Sequence, residues 1–281
     1  MAQSASQRDI HQKLADLQEY LRSLGTVAVA FSGGVDSSLL LKVAHDTLGD
    51  GAFAITAETH TMPSQDKAAT EEFCRREGIR QYILTYDELR IPGFAQNPTN
   101  RCYLCKTALF EHMAAIANEH GATALAEGSN LDDEGDYRPG LRAVAEQGVK
   151  SPLRHAGLHK QDIRDLSREL GLPTWDKPAA ACLSSRFPYW HQITEQKLLM
   201  VDEAENYLRS LGVGQVRVRI HDDLARIEVS QGDIDLLARA DVRAQVDQRL
   251  RELGFAYVTL DLAGFRSGSM NETLSEQDKA Q

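Results

Sequence analysis

Nowhere in the chain do apolar residues run on for the roughly 20 positions that a membrane-crossing helix needs. The first residues also lack the charged start, apolar stretch and small-residue cleavage site of an export signal. The expectation is a soluble, cytoplasmic protein with no membrane partner. Basic residues are in short supply too: 31 Lys and Arg against 41 Asp and Glu give a net charge of -10. A long polyanion is held by clustered Lys and Arg, so this balance argues against a nucleic-acid partner. Four cysteines in such a chain do not read as a disulfide framework, and those in polar loops call for a chemical explanation. No internal repeat or low-complexity segment is present, apart from a polar tail from about Ser275 that reads as disordered. The 281 residues leave room for a full α/β core and a smaller second unit.

One stretch concentrates what the rest of the chain spreads out. "FSGGVDSS", Phe31 to Ser38, follows the apolar run "TVAVA" and precedes Leu39, Leu40, Val43, Ala44 and Leu48, which recur at helical spacing. It therefore joins a buried strand to a helix N-terminus, where backbone N–H groups without intrahelical partners favour an anion. Gly33 and Gly34 let the backbone approach a phosphate closely, Ser32, Ser37 and Ser38 add hydroxyls, and Asp36 is placed to hold Mg2+ on phosphate oxygens. Neither a Walker loop nor G-x-G-x-x-G is present. A serine turn that merely caps a helix needs neither paired glycines nor a carboxylate. The string resembles the SGGxDS signature of the PP-loop ATP pyrophosphatases, which cleave ATP between the α- and β-phosphates to adenylylate an acceptor.

Around it, strands and helices alternate. Leu14, Leu17, Leu21 and Leu24 share one face of a helix over 10–24. "AFAITAET", "RQYILTY" and "TALAEG" read as further strands, with helices over "MPSQDKAATEEFCRREG" and "CKTALFEHMAAIANEHG". This pattern predicts a parallel sheet covered on both sides, with ligands at the carboxyl ends of its strands. Glu58, Thr59 and His60 end the second strand, and Asn130, Asp132, Asp133 and Asp136 follow the fourth; both groups are expected to face the nucleotide. Taken alone, the second group is an ordinary polar turn. A helix from about Lys160 to Leu170 stops at Gly171 and Pro173. The loop "TWDKPAAACLSSRFPYW" sets a boundary near Phe187, giving domains 1–187 and 188–281. The second reads as an α+β module: "ITEQKLLMVDEAENYLRSLG" helical, "QVRVRI" and "LARIEV" strands, "DIDLLARADVRAQVDQRLRELG" helical, "AYVTLDL" a last strand.

Cys102 and Cys105 are spaced C-x-x-C just before a helix, and Cys182 lies on the small-residue loop. Such spacing suits zinc, an iron–sulfur cluster or a disulfide. A closed zinc site would need a fourth ligand, whereas three cysteines on a [4Fe-4S] cluster leave one iron open. Arg186, four positions from Cys182, is a cation expected to favour its thiolate, and a thiolate is well suited to capture an adenylylated acyl group. Cys74, inside an amphipathic helix, reads as a buried small hydrophobe. On the strand through "VRVRI", Arg217, Arg219 and His221 share one face, opposite Val216, Val218 and Ile220. Any half-exposed strand alternates so, but with Ser185 and Arg186 the arginines are candidates for a mononucleotide phosphate.

"SGGVDSS", "NRCYLCK", "DDEGDYRPG", "CLSSR", "VRVR" and "LDLAGFRSGSMN" together, in this order over nearly the whole chain, resemble the pyridinium-3,5-biscarboxylic acid mononucleotide sulfurtransferases, the LarE family of nickel-pincer nucleotide synthesis for lactate racemase. The resemblance implies a PP-loop (adenine nucleotide alpha hydrolase-like) fold. ATP and Mg2+ would be held by Ala30, Ser32, Gly33, Gly34, Asp36, Ser37, Glu58, Arg101, Gly128 and Asp132. It implies that Cys182 receives the adenylylated carboxylate and yields a thiocarboxylate. It places Glu205 and Glu228 near the substrate, as a proton acceptor during C–S cleavage and as an orienter of arginines, and it implies a trimer-based homo-oligomer. Some members sacrifice the cysteine sulfur and are left with dehydroalanine; others hold a [4Fe-4S] cluster on three cysteines and relay sulfide. Cys102, Cys105 and Cys182 match the second kind. The competing readings are an amide-forming ATP pyrophosphatase and a nucleotide sensor that does not turn ATP over.

Overall fold

The runs Val27–Ala30 (β1) and Ala52–Glu58 (β2), small or β-branched almost throughout, lie side by side as parallel strands, with Val27 opposite Ala52 and Ala30 opposite Ile55. The computed structural model describes residues 9–133, 139–178, 181–266, 268–272 and 274–275. Asp136 and the tail beyond Ser275 lie outside the described residues. By internal contacts the chain divides into two compact units. The first comprises Met1–Glu58, Asp66–Tyr86 and Lys106–Ala180, and the second Thr59–Gln65, Asp87–Cys105 and Ala181–Gln281. Sequence reading set one boundary near Phe187. The contacts set the last crossing at Ala180 and assign two earlier segments to the second unit, because Phe94 packs in its core, with Leu89 and Ile91 against it.

In the first unit, helix α1 (Ile10–Leu24) precedes β1, and α2 (Val35–Leu48) separates β1 from β2. Helix α3 (Ser64–Glu77) leads to β3 (Gln81–Thr85), and α4 (Arg101–Glu119) to β4 (Ala124–Ala126). Helices α5 (Pro139–Glu146), α6 (Pro152–His155) and α7 (Lys160–Glu169) follow. The sheet order is β3-β2-β1-β4, all parallel. Alternation along β1 and β2 sends side chains to two separate cores. Val27, Val29, Ala52 and Ala54 join Leu17, Leu21 and the apolar face of α2, while Ala28, Phe53 and Ile55 meet Phe110 and Met113. Leu17 and Leu21 are fully buried, which stabilises the docking of α1 by about 1.5–3 kcal/mol for each side chain.

The second unit contains α8 (Glu195–Ser210), β5 (Val216–His221), β6 (Leu224–Val229), α9 (Gln231–Ala238), α10 (Ala240–Glu252) and β7 (Tyr257–Leu260). Strand β5 pairs antiparallel with β6, and β6 pairs parallel with β7. The single helix read between residues 233 and 254 is two, because Arg239, at φ -58° and ψ 138°, is extended and interrupts it. Leu198, Val201, Ala204 and Leu208 of α8 pack against Val216, Val218 and Ile220 in one core.

Candidate active site

The bend at residues 31–38 is built as an open helix N-terminus. Gly33 sits at φ +70°, and a Cβ there would lie 2.9 Å from Thr70 Cγ2, so the position requires glycine. Gly34 is the N-cap of α2 and supplies no side-chain cap, which leaves first-turn amides without a side-chain acceptor. Ser37 Oγ lies 3.2 Å from Ser32 Oγ and donates to Gly34 O at 3.2 Å. Gly128, just beyond β4, packs against the same turn: a Cβ would come within 3.0 Å of Ser37 N. Ala30 ends β1 beside Ile55.

Asp36, in the first turn of α2, accepts from Asn130 Nδ2 at 3.1 Å and pairs with Lys160 Nζ at 2.5 Å. Lys177 Nζ donates to Gly33 O at 2.9 Å and to Asp66 Oδ1 at 2.8 Å. The two lysines put positive charge beside the amides, and sequence reading missed both. No local pattern marks them; each arrives by the fold, Lys160 at the start of α7 and Lys177 on the loop after it. Asp132 accepts from His159 Nδ1 and Lys160 N, both at 2.7 Å, and these hydrogen bonds hold its carboxyl below the usual range. It braces the start of α7. Asp133 accepts from Asn130 N at 3.0 Å. Glu58, at the end of β2, is ion-paired with Lys67.

In the second unit the cysteine loop is fixed at several points. Cys182 is exposed, and its Sγ lies 3.1 Å from Ser184 Oγ. Leu183 N donates to Thr61 O at 2.8 Å. Arg186 is 1% exposed and was expected to be the cation beside the Cys182 thiol. Its guanidinium is instead committed to Glu205 (2.8 and 2.9 Å), to the carbonyls of Ala181 and Cys182 (2.7 and 3.0 Å) and to Ser185 Oγ (2.9 Å). The cation that senses thiols is Arg101. Burial pushes its pKa down, but the neighbouring Cys102 and Cys182 outweigh that and raise it. Arg101 also donates to Asn97 Oδ1 and, at 3.1 Å, to Ser184 O. None of Cys102, Cys105 and Cys182 is in a disulfide, and the first two lie in the first turns of α4, on adjacent positions of one helical face, rather than just before the helix. Cys74 is buried, which pushes its thiol up to about 12 and leaves it inert, in line with the sequence reading.

The cationic face of β5 was expected to be half-exposed. The correction is that Arg217 and Arg219 are 6% and 5% exposed: Ser185 and Ser269 meet Arg219, and Arg217 lies over the Phe265 ring. Arg219 donates to Ser185 O (2.8 Å), to Ser269 Oγ (3.2 Å) and twice to Glu228 Oε2 (3.0 and 2.8 Å). Arg226 pairs with the other oxygen of Glu228 at 2.8 Å, and Arg209 joins Glu205 at 2.8 Å. Burial pushes Glu205 up, but Arg186 above all holds it below the usual carboxylate range. Burial and the nearby Arg186 lower Arg217 to about 10. Five arginines thus surround two buried glutamates, a surplus of positive charge that suits an anion. Sequence reading missed Arg209, Arg226 and Ser269, which reach this network from α8, β6 and the C-terminal turn. His221, on the same strand, is pushed down by burial and by Arg226.

No protein-family model matches the chain. An uncharacterised protein of Synechocystis sp. is 41% identical over 267 residues, spanning 95% of this chain and 100% of its own. The pyridinium-3,5-bisthiocarboxylic acid mononucleotide synthase of Lactiplantibacillus plantarum is 42% identical over 270 residues, 95% of this chain and 97% of that protein. The chain belongs to this family, LarE. The tRNA-specific 2-thiouridylase of Azorhizobium caulinodans, a PP-loop ATP pyrophosphatase, is 30% identical over 191 residues, 54% of this chain and 48% of its own. The parallel sheet and the glycine bend give the LarE chain the PP-loop fold. Among the described residues, no helix is long and apolar enough to cross a membrane.

Proposed function

We propose that this LarE chain converts the carboxylates of pyridinium-3,5-biscarboxylic acid mononucleotide into thiocarboxylates, using ATP and sulfur from Cys182 or from an iron–sulfur cluster that Cys182 helps to hold. The observation that carries the reading is the extent of the match. The bisthiocarboxylic acid synthase aligns over 95% of the chain, a span that takes in both compact units, whereas the thiouridylase aligns over 54%. An amide-forming enzyme would have no use for a buried arginine beside two thiols, Cys102 and Cys182.

The chemistry follows from the residues. A substrate carboxylate attacks the α-phosphorus of ATP and pyrophosphate leaves. Amides of the α2 N-terminus, Ser32, Ser37, Lys160 and Lys177 bind the phosphates, and Asp36 would hold the Mg2+ that neutralises their charge. Sulfur then attacks the acyl carbon and AMP leaves with the C–O bond electrons. Arg217 and Arg219, with Ser185, bind the mononucleotide phosphate. Glu205 has both oxygens fully engaged by Arg186, Arg209 and Val218 N. It serves as a positioning residue rather than as a proton acceptor, and Glu228 serves Arg219 and Arg226 in the same way.

The thiol donor set, with the Arg101 cation beside two of its members, fits an iron–sulfur cluster. Cys102, Cys105 and Cys182 would hold a [4Fe-4S] cluster, which when bound supplies the sulfur at its open iron. The reading includes a cytoplasmic, trimer-based homo-oligomer without a nucleic-acid partner. Pyrophosphate release measured with and without the pyridinium substrate tests the proposal. Release only with substrate, accompanied by a thiocarboxylate product, supports it; a protein that binds ATP without release would be a sensor instead.

A further inference from the structure

We infer that the second unit carries a divalent transition-metal site formed by His60, Asp87 and Glu88, with Glu195 beside it. One ligating atom from each of His60, Asp87 and Glu88 lies within 4.8 Å of the other two. Ligands about 2.1 Å from a common ion are about 3.0–4.2 Å apart, so the set needs little contraction to close on one. His60 presents each ring nitrogen to a carboxylate: Nε2 is 3.7 Å from Asp87 Oδ1 and Nδ1 is 3.8 Å from Glu195 Oε1. Both separations exceed a hydrogen bond.

Glu88 supplies an independent observation. Its side chain is fully buried; Oε1 accepts from Thr61 N at 2.6 Å, and Oε2 is buried with no hydrogen-bond partner. A buried carboxylate oxygen without a partner is costly, and a bound cation removes that cost. One imidazole with two carboxylates suits Mn2+ or Zn2+ better than a soft thiolate-seeking ion, and Glu195 at the other ring nitrogen orients the imidazole. Thr61, whose N–H meets Glu88, also accepts from Leu183 N at 2.8 Å, next to Cys182. The ion therefore braces the segment that supports the cysteine loop. The three residues arise from the ends of β2 and β3, so sequence order gives no ligand spacing to recognise.

The test uses the full chain stripped with EDTA, free of ATP, and titrated with Mn2+, with free ion counted by electron paramagnetic resonance. We expect one tightly bound Mn2+ per chain, with a 14N modulation from His60. His60→Ala should abolish that modulation and weaken binding at least tenfold, and Glu88→Gln should also weaken it at least tenfold. Absence of a nitrogen-coupled ion, or unchanged binding in His60→Ala, overturns the site. Should Glu88→Gln fail to fold, the partly exposed His60→Ala decides alone. The readout requires no turnover, so it stands or falls separately from the sulfur-transfer reading.

Discussion

Replacing Glu205 by Gln removes one negative charge from the centre of the arginine network without changing its volume. The carboxylate is fully buried and accepts from Arg186 Nε and Val218 N on Oε1, and from Arg186 Nη2 and Arg209 Nη2 on Oε2. In Gln, one oxygen retains two of these donors, and an NH2 group meets two guanidinium N–H groups. Two charged hydrogen bonds are lost, at about 1.5–3 kcal/mol each, and Arg186 is left buried without its counter-charge. The expected loss is therefore about 3–5 kcal/mol, the range for breaking a buried pair. Because the folded pKa of Glu205 is depressed below 4.5, its stabilisation is complete above the unfolded pKa and fades as pH falls through the folded one. The gap between wild type and Glu205→Gln should be constant from about pH 7 to 5 and narrow below about 4.5. Denaturant titration across that range measures it. A loss under about 1 kcal/mol at pH 7, or a gap that widens in acid, refutes the argument that Glu205 is an ionised anchor.

Gly33→Ala forces a Cβ into the φ +70° position against Thr70; it should cost about 1–2 kcal/mol and raise the KM for ATP in a pyrophosphate-release assay. Arg219→Met strips Glu228 Oε2 of the two N–H groups that Arg219 donates to it and should lower stability by about 3 kcal/mol. Arg217→Met removes a charge already held at about 10 and should cost clearly less, while both variants lose affinity for inorganic phosphate by calorimetry. Alkylation with iodoacetamide should block thiocarboxylate formation by modifying exposed Cys182, whereas Cys74→Ala should leave turnover and anaerobic iron content unchanged, as an activity assay and metal analysis would show.

Much of the first unit is legible because its signals are local. The leucine spacing over 10–24 gives α1 at those residues, and the glycine-serine-acid bend falls between β1 and α2 as the composition demands. The arginine pair on β5 shows where such reading stops. Alternation distinguishes two faces, but it cannot tell that Ser185, Phe265 and Ser269 come to lie on the second, so an exposed cationic face became a buried ion-pair network. Arg186 fails for the same reason: four residues from Cys182 in sequence, it turns toward Glu205 on α8. Lys160 and Lys177 reach the bend from distant segments, and no spacing rule connects them to residues 31–38. The break at Arg239 is invisible because the residues around it, Leu236, Leu237, Ala238 and Ala240, all favour helix.

In the proposed reaction an acyl adenylate made at the glycine bend gives up its AMP to sulfur whose delivery depends on Cys182. The most direct test is an anaerobic reaction of the iron-loaded protein with ATP, a sulfide source and the pyridinium dicarboxylate mononucleotide, following AMP, thiocarboxylate and the mass of the Cys182 peptide together. Equal AMP and thiocarboxylate, several products per chain, an unaltered peptide, and no thiocarboxylate from Cys182→Ser are expected. Undiminished thiocarboxylate from Cys182→Ser, or thiocarboxylate formed without AMP, would contradict the proposed reaction.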